Sequence, residues 1–200
     1  MIKRIFDILV SLLVFIVFFV PMLIIAILVR IGSPGKAIFK QQRAGRNGKP
    51  FTILKFRTMR NDADPYGSSP HSEDDPRLTR LGKFLRETSL DELPQVFNVL
   101  GGSMSLVGPR PLYERQAAEW DQTQRRRLEV RPGITGYAQA YGRGQLTIEE
   151  KIEMDVHYVD NRSFWLDLRI ILRTAGNIIR PRGEVYEKRY SSDREYENDQ

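Results

Sequence analysis

The chain has 200 residues, enough for one domain or one domain with an appendage. It contains no cysteine, which excludes a disulfide framework and a thiolate metal site, and with only His71 and His157 a histidine-rich metal cluster is excluded too, so any divalent ion must be held by oxygen ligands. The formal net charge is +6 and uneven: residues 184–200 carry 3 basic and 6 acidic side chains, which leaves +9 on residues 1–183 and implies an anionic partner such as nucleic acid, acidic lipid headgroups or a phosphorylated substrate.

The first element is an apolar run from Ile8 to Val29, 22 residues in which only Ser11 is neither apolar nor proline. As a helix it would measure about 33 Å, enough to cross a bilayer core. Lys3 and Arg4 precede it, and Arg30, Lys36 and Lys40 follow it. Its apolar core is longer than a signal peptide's and no small-residue cleavage site follows, so it reads as a membrane segment that stays. Pro21 should kink or break the helix, and positive charge on both flanks gives weak topological asymmetry. Both features fit a helix that enters one leaflet and returns to the same side; an ordinary kinked span fits the same residues.

After a break at Gly32–Gly35, two extended stretches (roughly Ala37–Gln42 and Phe51–Met59) flank the turn signal Asn47-Gly48 and read as a β-hairpin. Strand alternation puts Lys55 and Arg57 on one face, where they could line an anion site or form the solvated side of a two-stranded edge. Asn61–Pro76 is polar, without apolar period, and reads as a loop. Leu78, Leu81, Phe84 and Leu85 recur at helical spacing among Arg77, Arg80, Lys83 and Arg86, a basic amphipathic helix able to rest on lipid or pack on the core.

Ser89 to Pro111 organises the rest. Asp91 and Glu92 sit where a helix should begin: Ser89 with Glu92 has the form of a capping box, while Pro94 argues for a later start with Asp91 as the N-cap. Either way the acidic pair lies near free backbone N–H groups, which favours an ionised carboxylate suited to be a nucleophile or a metal ligand. Plain helix capping explains the same residues. In Gly108-Pro109-Arg110-Pro111, two prolines and a glycine hold Arg110 in a stiff turn, where its guanidinium could grip a phosphate with two parallel hydrogen bonds.

Glu114–Val130 is a charged helix candidate anchored by Trp120 and Leu128. Arg131-Pro-Gly-Ile-Thr-Gly136 is a second rigid turn carrying an arginine, as a phosphate loop or any tight turn requires. Thr147 with Glu150 forms a capping box for a helix through about Tyr158 that presents Asp155. In Ser163–Ile179 the apolar set Phe164, Leu168, Ile171, Leu172, Ala175, Ile178 and Ile179 has helical spacing, beside a basic stripe of Arg162, Arg169, Arg173 and Arg180. That pattern suits a helix lying in the membrane interface, or one packed on the core with solvated arginines. The acidic, tyrosine-bearing tail reads as disordered. The division expected is a membrane-anchoring helix at 1–31, a catalytic unit at 32–183 and a tail at 184–200, in a helix-rich α+β fold.

Taken together, Lys3-Arg4 before a proline-broken apolar helix, Lys55-Phe-Arg-Thr-Met59, Asp75-Pro-Arg-Leu78, Ser89-Leu-Asp-Glu-Leu-Pro94, Gly108-Pro-Arg-Pro111 and Arg131-Pro-Gly-Ile-Thr-Gly136 resemble the small monotopic bacterial phosphoglycosyl transferases. These pieces run in order over nearly the whole chain; one departure is Val20 before Pro21, where such proteins carry serine. The resemblance implies a re-entrant anchor at the bacterial inner membrane with the catalytic unit on the cytoplasmic side. It implies a UDP-sugar donor, undecaprenyl phosphate as acceptor, membrane lipid as environment and no nucleic acid. Asp91 matches the nucleophile that would take the sugar phosphate covalently and release UMP, with Glu92 as its dyad partner. Magnesium, held partly through Asp91, would offset phosphate charge. Arg110 matches the best candidate for a phosphate clamp, followed by Arg57, Lys55 and Arg131; Asp155 matches a functional aspartate without an assigned role. A membrane-tethered basic binding module and an aspartyl-phosphate phosphatase are the competing readings.

Overall fold

The computed structural model describes residues 2–64, 67, 69–70, 72–118, 120–142 and 145–179; Arg180 and the acidic tail lie outside them. Helix α1 (Ile2–Gly32) runs on through Pro21 without ending there, so the expected break is not present. A proline removes one backbone donor and crowds the preceding turn. Here Phe18, Met22, Ile25, Ala26 and Val29 pack against the domain and hold the helix on both sides of Pro21. The remaining apolar face is outside: Leu9, Leu13, Ile16, Val17, Val20 and Ile24 are all exposed.

The hairpin forms as the turn signal requires. Strands β1 (Ile38–Ala44) and β2 (Pro50–Phe56) pair antiparallel, from Ile38 opposite Phe56 to Ala44 opposite Pro50. Asn47 and Gly48 take the left-handed φ values of 57° and 72° that asparagine and glycine tolerate. Helix α2 (Arg80–Glu87) is capped by the Thr79 side chain and buries Leu85 while leaving Phe84 exposed. Its Gly82 is obligatory, because a Cβ there would lie 1.9 Å from the Thr58 carbonyl oxygen.

The acidic pair occupies a 3-10 turn, Leu90–Glu92, and α3 (Gln95–Leu100) begins only after Pro94. Ser89 makes no side-chain cap and sits at φ 58°, so neither capping scheme expected for this helix is used. Pro94, with no N–H to give the preceding turn, becomes the N-cap residue and separates the two segments. Strand β3 (Ser105–Val107) pairs parallel with β4 (Gly133–Thr135), so the second arginine turn is in part a strand.

Between those strands the expected long helix is broken into α4 (Glu114–Ala118), α5 (Gln122–Arg125) and a 3-10 turn at Arg126–Glu129. The restart is local: Asp121 and Gln124 form a capping box, and buried Trp120 anchors the chain just before it. A short α6 (Tyr137–Tyr141) leads to α7 (Ile148–Asn161), which starts from the Thr147–Glu150 capping box, and to α8 (Phe164–Ile179). The side of α8 that enters the core carries Asp167 and Ile170, while Phe164, Trp165 and Leu172 of the expected apolar stripe and its neighbour face outward.

Two apolar clusters lie along α1. Phe6 and Val10 join Val107, Tyr158, Val159 and Ile170 near its start, and Met22, Ile25 and Val29 join Phe56 and Leu85 in its second half. Contacts of α1 with the rest of the domain thus run from Phe6 near its start to Val29 near its end.

Candidate active site

Asp91 is 7% exposed, and Glu92 beside it turns toward β2. Asn98 on α3 fixes that approach, accepting from the Leu54 amide at 3.0 Å and donating to the Thr52 carbonyl at 2.7 Å. With α3 tied to β2, Lys55 Nζ donates to Glu92 Oε1 at 2.7 Å. The same oxygen accepts Arg110 Nη1 at 3.1 Å. Asp91, Glu92, Lys55 and Arg110 thus converge on one point from three segments far apart in sequence.

Arg110 is presented by a strand pair that only glycine permits. The Gly108 amide donates to Thr135 O at 2.9 Å and the Gly133 amide to Pro109 O at 3.0 Å. A Cβ on Gly108 would sit 2.3 Å from Arg131 O, and one on Gly133 2.1 Å from Gly108 N. Close backbone approach is the role of both residues.

The two carboxylates meet different fields. Burial pushes Asp91 up to about 6 and outweighs Lys55, with Glu92 adding to the rise while Arg86 and Arg110 oppose it. Burial also disfavours ionised Glu92, but Lys55 and Arg110 overcome it and hold that carboxyl down at about 2. Lys55 is itself lowered, chiefly by burial, against the pull of Glu92. Among the described residues none hydrogen-bonds the Asp91 carboxylate. Glu92 therefore stays ionised holding two cations, and Asp91 titrates near neutrality with its oxygens uncommitted.

The other sequence candidates lie elsewhere. Arg57 is 8% exposed and closes the C-terminal end of α1, donating to Ser33 O at 2.8 Å, Val29 O at 3.3 Å and the Pro34 carbonyl. It leaves the Lys55 face because β2 ends at Phe56. Arg131 donates to Gly102 O at 2.8 Å, at the turn after α3. Asp155 is buried, paired at 2.5 Å with buried Arg127, whose Nη2 also donates to Arg110 O at 2.7 Å. Burial raises the Asp155 carboxyl, against the attraction of Arg127. So Asp155 bears on the site indirectly, through the backbone of Arg110.

Two contributors were missed by sequence reasoning. Arg86 donates to Thr58 Oγ1 at 2.9 Å and acts on Asp91 by charge, yet in the sequence it is one of several arginines on a basic helix. Arg127 is one of three consecutive arginines, and nothing local marks it as the buried one.

No group of three or more acidic or histidine side chains able to hold a metal exists among the described residues. Magnesium commonly uses one or two carboxylates, completed by water and substrate phosphate. Asp91, its oxygens uncommitted, fits that donor set.

Comparison with known proteins places these residues in a family. Residues 1–181 match the family described as bacterial sugar transferase. The chain is 50% identical over 150 residues to the uncharacterized sugar transferase EpsL of Bacillus subtilis, covering 75% of this chain and 72% of that one. It is 47% identical to the galactosyl transferase CpsE of Streptococcus agalactiae, covering 70% of this chain and 34% of that one. It is 44% identical to a UDP-glucose:undecaprenyl-phosphate glucose-1-phosphate transferase of Xanthomonas campestris, covering 79% and 34% respectively. The chain thus spans about a third of the length of the latter two. With the match running through α1, the acidic pair and the Arg110 turn alike, the chain belongs to the bacterial sugar transferase family.

Proposed function

We propose that this chain transfers a sugar 1-phosphate from a UDP-sugar to undecaprenyl phosphate, with UMP as the by-product and a covalent phosphosugar on Asp91 between the two half-reactions. The observation that carries this reading is the asymmetry of the dyad: Glu92 holds Lys55 and Arg110, while buried Asp91 is uncommitted and raised to about 6. An ionised Asp91 oxygen attacks the β-phosphorus, the bond from that phosphorus to the bridging oxygen breaks, and UMP leaves. A lipid phosphate oxygen then attacks the same phosphorus and displaces Asp91, regenerating the carboxylate. Carboxylates serve as covalent nucleophiles in this way elsewhere. Arg110, whose side chain is 42% exposed, can follow the negative charge from Glu92 to the transferring phosphoryl group. Lys55 keeps Glu92 ionised and in place. Asp91 would hold magnesium together with substrate phosphate, and the ion would neutralise phosphate charge when bound.

The substrate pair agrees with the printed activity of the Xanthomonas relative, and the galactosyl transferase name of the Streptococcus relative leaves the sugar of this chain open. An acceptor dissolved in lipid requires the site to lie at the membrane surface. Among the described residues one helix, α1, is long and apolar enough to cross a membrane. Lys3 near its start reaches Val107 O at 3.1 Å, and Arg57 reaches the carbonyls at its end, so both ends are bound to one domain. That supports an anchor that enters and leaves on the cytoplasmic face of the inner membrane. Phe84, Phe97, Trp165 and Leu172 are exposed apolar side chains of the kind that enter lipid, which supports the same reading. The direct test is UMP release from a panel of UDP-sugars with undecaprenyl phosphate and magnesium: the reading expects one donor to be turned over and Asp91→Asn to abolish it, and unimpaired turnover by that variant removes Asp91 from the mechanism.

A further inference from the structure

The first two turns of α1 carry more polar chemistry than an anchor requires. Asp7 is 2% exposed on a helix whose exposed residues are mostly apolar. It accepts from Ser105 Oγ at 2.7 Å and from the Leu106 amide at 3.2 Å. One turn earlier, Lys3 Nζ donates to Val107 O at 3.1 Å and to Asp167 Oδ2 at 2.6 Å. Tyr158 OH donates to Asp167 Oδ1 at 2.6 Å and reaches the same Val107 carbonyl at 3.3 Å. Four of these six bonds end on β3, the strand that runs directly into Gly108-Pro109-Arg110, and the other two join Lys3 and Tyr158 through Asp167 of α8. Between them Arg4 turns the other way, donating to Val99 O at 2.7 Å and Leu100 O at 3.1 Å at the end of α3. Helix α3 follows the turn that bears Asp91 and Glu92.

One stretch of the anchor is therefore wedged between the two segments that build the site. Docking alone does not need this, since Phe6 and Val10 already bury the same stretch in the apolar core. Taking a carboxylate out of water is costly unless its partners are fixed, and in return it gives a single register. We propose that Asp7 is a positioning residue, which, with Lys3 and Arg4, sets the separation of Arg110 from Asp91, so that the seating of the membrane helix fixes the geometry of phosphoryl transfer. The inference rests on the reading of Asp91 and Arg110 given above. It assigns Asp7 no contact with substrate; its effect passes through β3 to Arg110.

The test is a double-mutant cycle on the full chain in lipid nanodiscs, with turnover, donor KM and thermal midpoint measured for Asp7→Ala, Arg110→Ala and the pair. Asp7→Ala is expected to lower kcat by about tenfold with donor KM changed less than about threefold, and to lower it by less than about threefold once Arg110 is already alanine. Asp7→Asn, which retains an acceptor for the Leu106 amide, should recover part of the loss. Equal loss in both backgrounds, or loss that simply follows the thermal midpoint, overturns the proposal. If Asp7→Ala does not accumulate, Ser105→Ala removes one of the same bonds from the β3 side and enters the cycle in its place. An inactive Asp91→Asn with a multiplicative cycle refutes the positioning role alone, whereas an active Asp91→Asn refutes the reading beneath it.

Discussion

Asp91 and Glu92 are consecutive in the chain and opposite in charge behaviour, the first raised to about 6 by burial and the second held at about 2 by Lys55 and Arg110. Neighbouring titratable groups driven apart in this way divide the work of a reaction between them. The ionised one organises cations, and the other can change state at working pH.

A pH dependence follows. With Asp91 as nucleophile, kcat/KM should fall about tenfold per pH unit below about 6 and level off above it, with the inflection lost or moved in variants that alter the Lys55–Glu92 pair. Stability has the reverse sign. The folded value of Asp91 lies above its ordinary 3.8, so ionisation above about pH 6 opposes folding. Asp91→Asn should therefore stabilise the unliganded protein by on the order of 2 kcal/mol at pH 8, an advantage that vanishes as pH falls through 6 toward 4. Glu92 works the other way: its folded value lies below the ordinary 4.5, so its contribution is full above 4.5 and is lost as pH falls toward 2. Thermal melts of both proteins across pH measure the difference.

Arg57 and Arg110 look alike in the sequence and should fail differently. Arg57→Ala removes a donor from the Ser33 carbonyl and one of the two donors to Val29 O at the end of α1, at a cost of about 2–3 kcal/mol, with donor KM little changed in the protein that folds. Arg110→Ala should leave the melting temperature nearly unchanged and lower kcat by about 10²–10³. A loss of kcat in folded Arg57→Ala as large as that in Arg110→Ala would return Arg57 to the phosphate site.

The legible parts of this protein are those written in local chemistry. Thr147 and Glu150 announce their helix because both halves of the capping box lie within four residues, and Asn47-Gly48 announces the hairpin because left-handed φ values need those residues. Asp91, Glu92, Lys55 and Arg110 could be nominated from the motifs they sit in, but their meeting depends on Asn98 tying α3 to β2. The rest depends on distant partners. The parallel pairing of β3 with β4 joins segments about thirty residues apart and leaves no periodic signal in three-residue strands. Glu114–Val130 has the charge of one helix, but a capping box inside it and Trp120 outside it break it. Asp155, a lone carboxylate on its helix in the sequence, is buried against Arg127, a partner 28 residues away.

Asp155 accordingly gives a prediction about stability. Asp155→Ala leaves a buried guanidinium without its ion, which should cost about 3–5 kcal/mol and loosen the Arg110 backbone that Arg127 also holds. Chemical denaturation, with a double Asp155→Leu/Arg127→Met variant in parallel, checks it. The double variant should recover much of the stability, and a double variant no better than the single one would show that the pair is not the source of the loss.

The anchor has a test of its own. Single cysteines at residues 2 and 190 of this cysteine-free chain should be labelled from the same side of sealed membrane vesicles, as both ends of α1 bind one domain. Labelling from opposite sides would mean that α1 crosses the bilayer.

The most direct measurement is intact-protein and peptide mass spectrometry of the enzyme, quenched after incubation with the donor that supports turnover and without lipid acceptor. The account predicts one added sugar phosphate, on the peptide containing Asp91, that disappears when undecaprenyl phosphate is supplied and never forms in Asp91→Asn. Full turnover with no adduct on that peptide would contradict it.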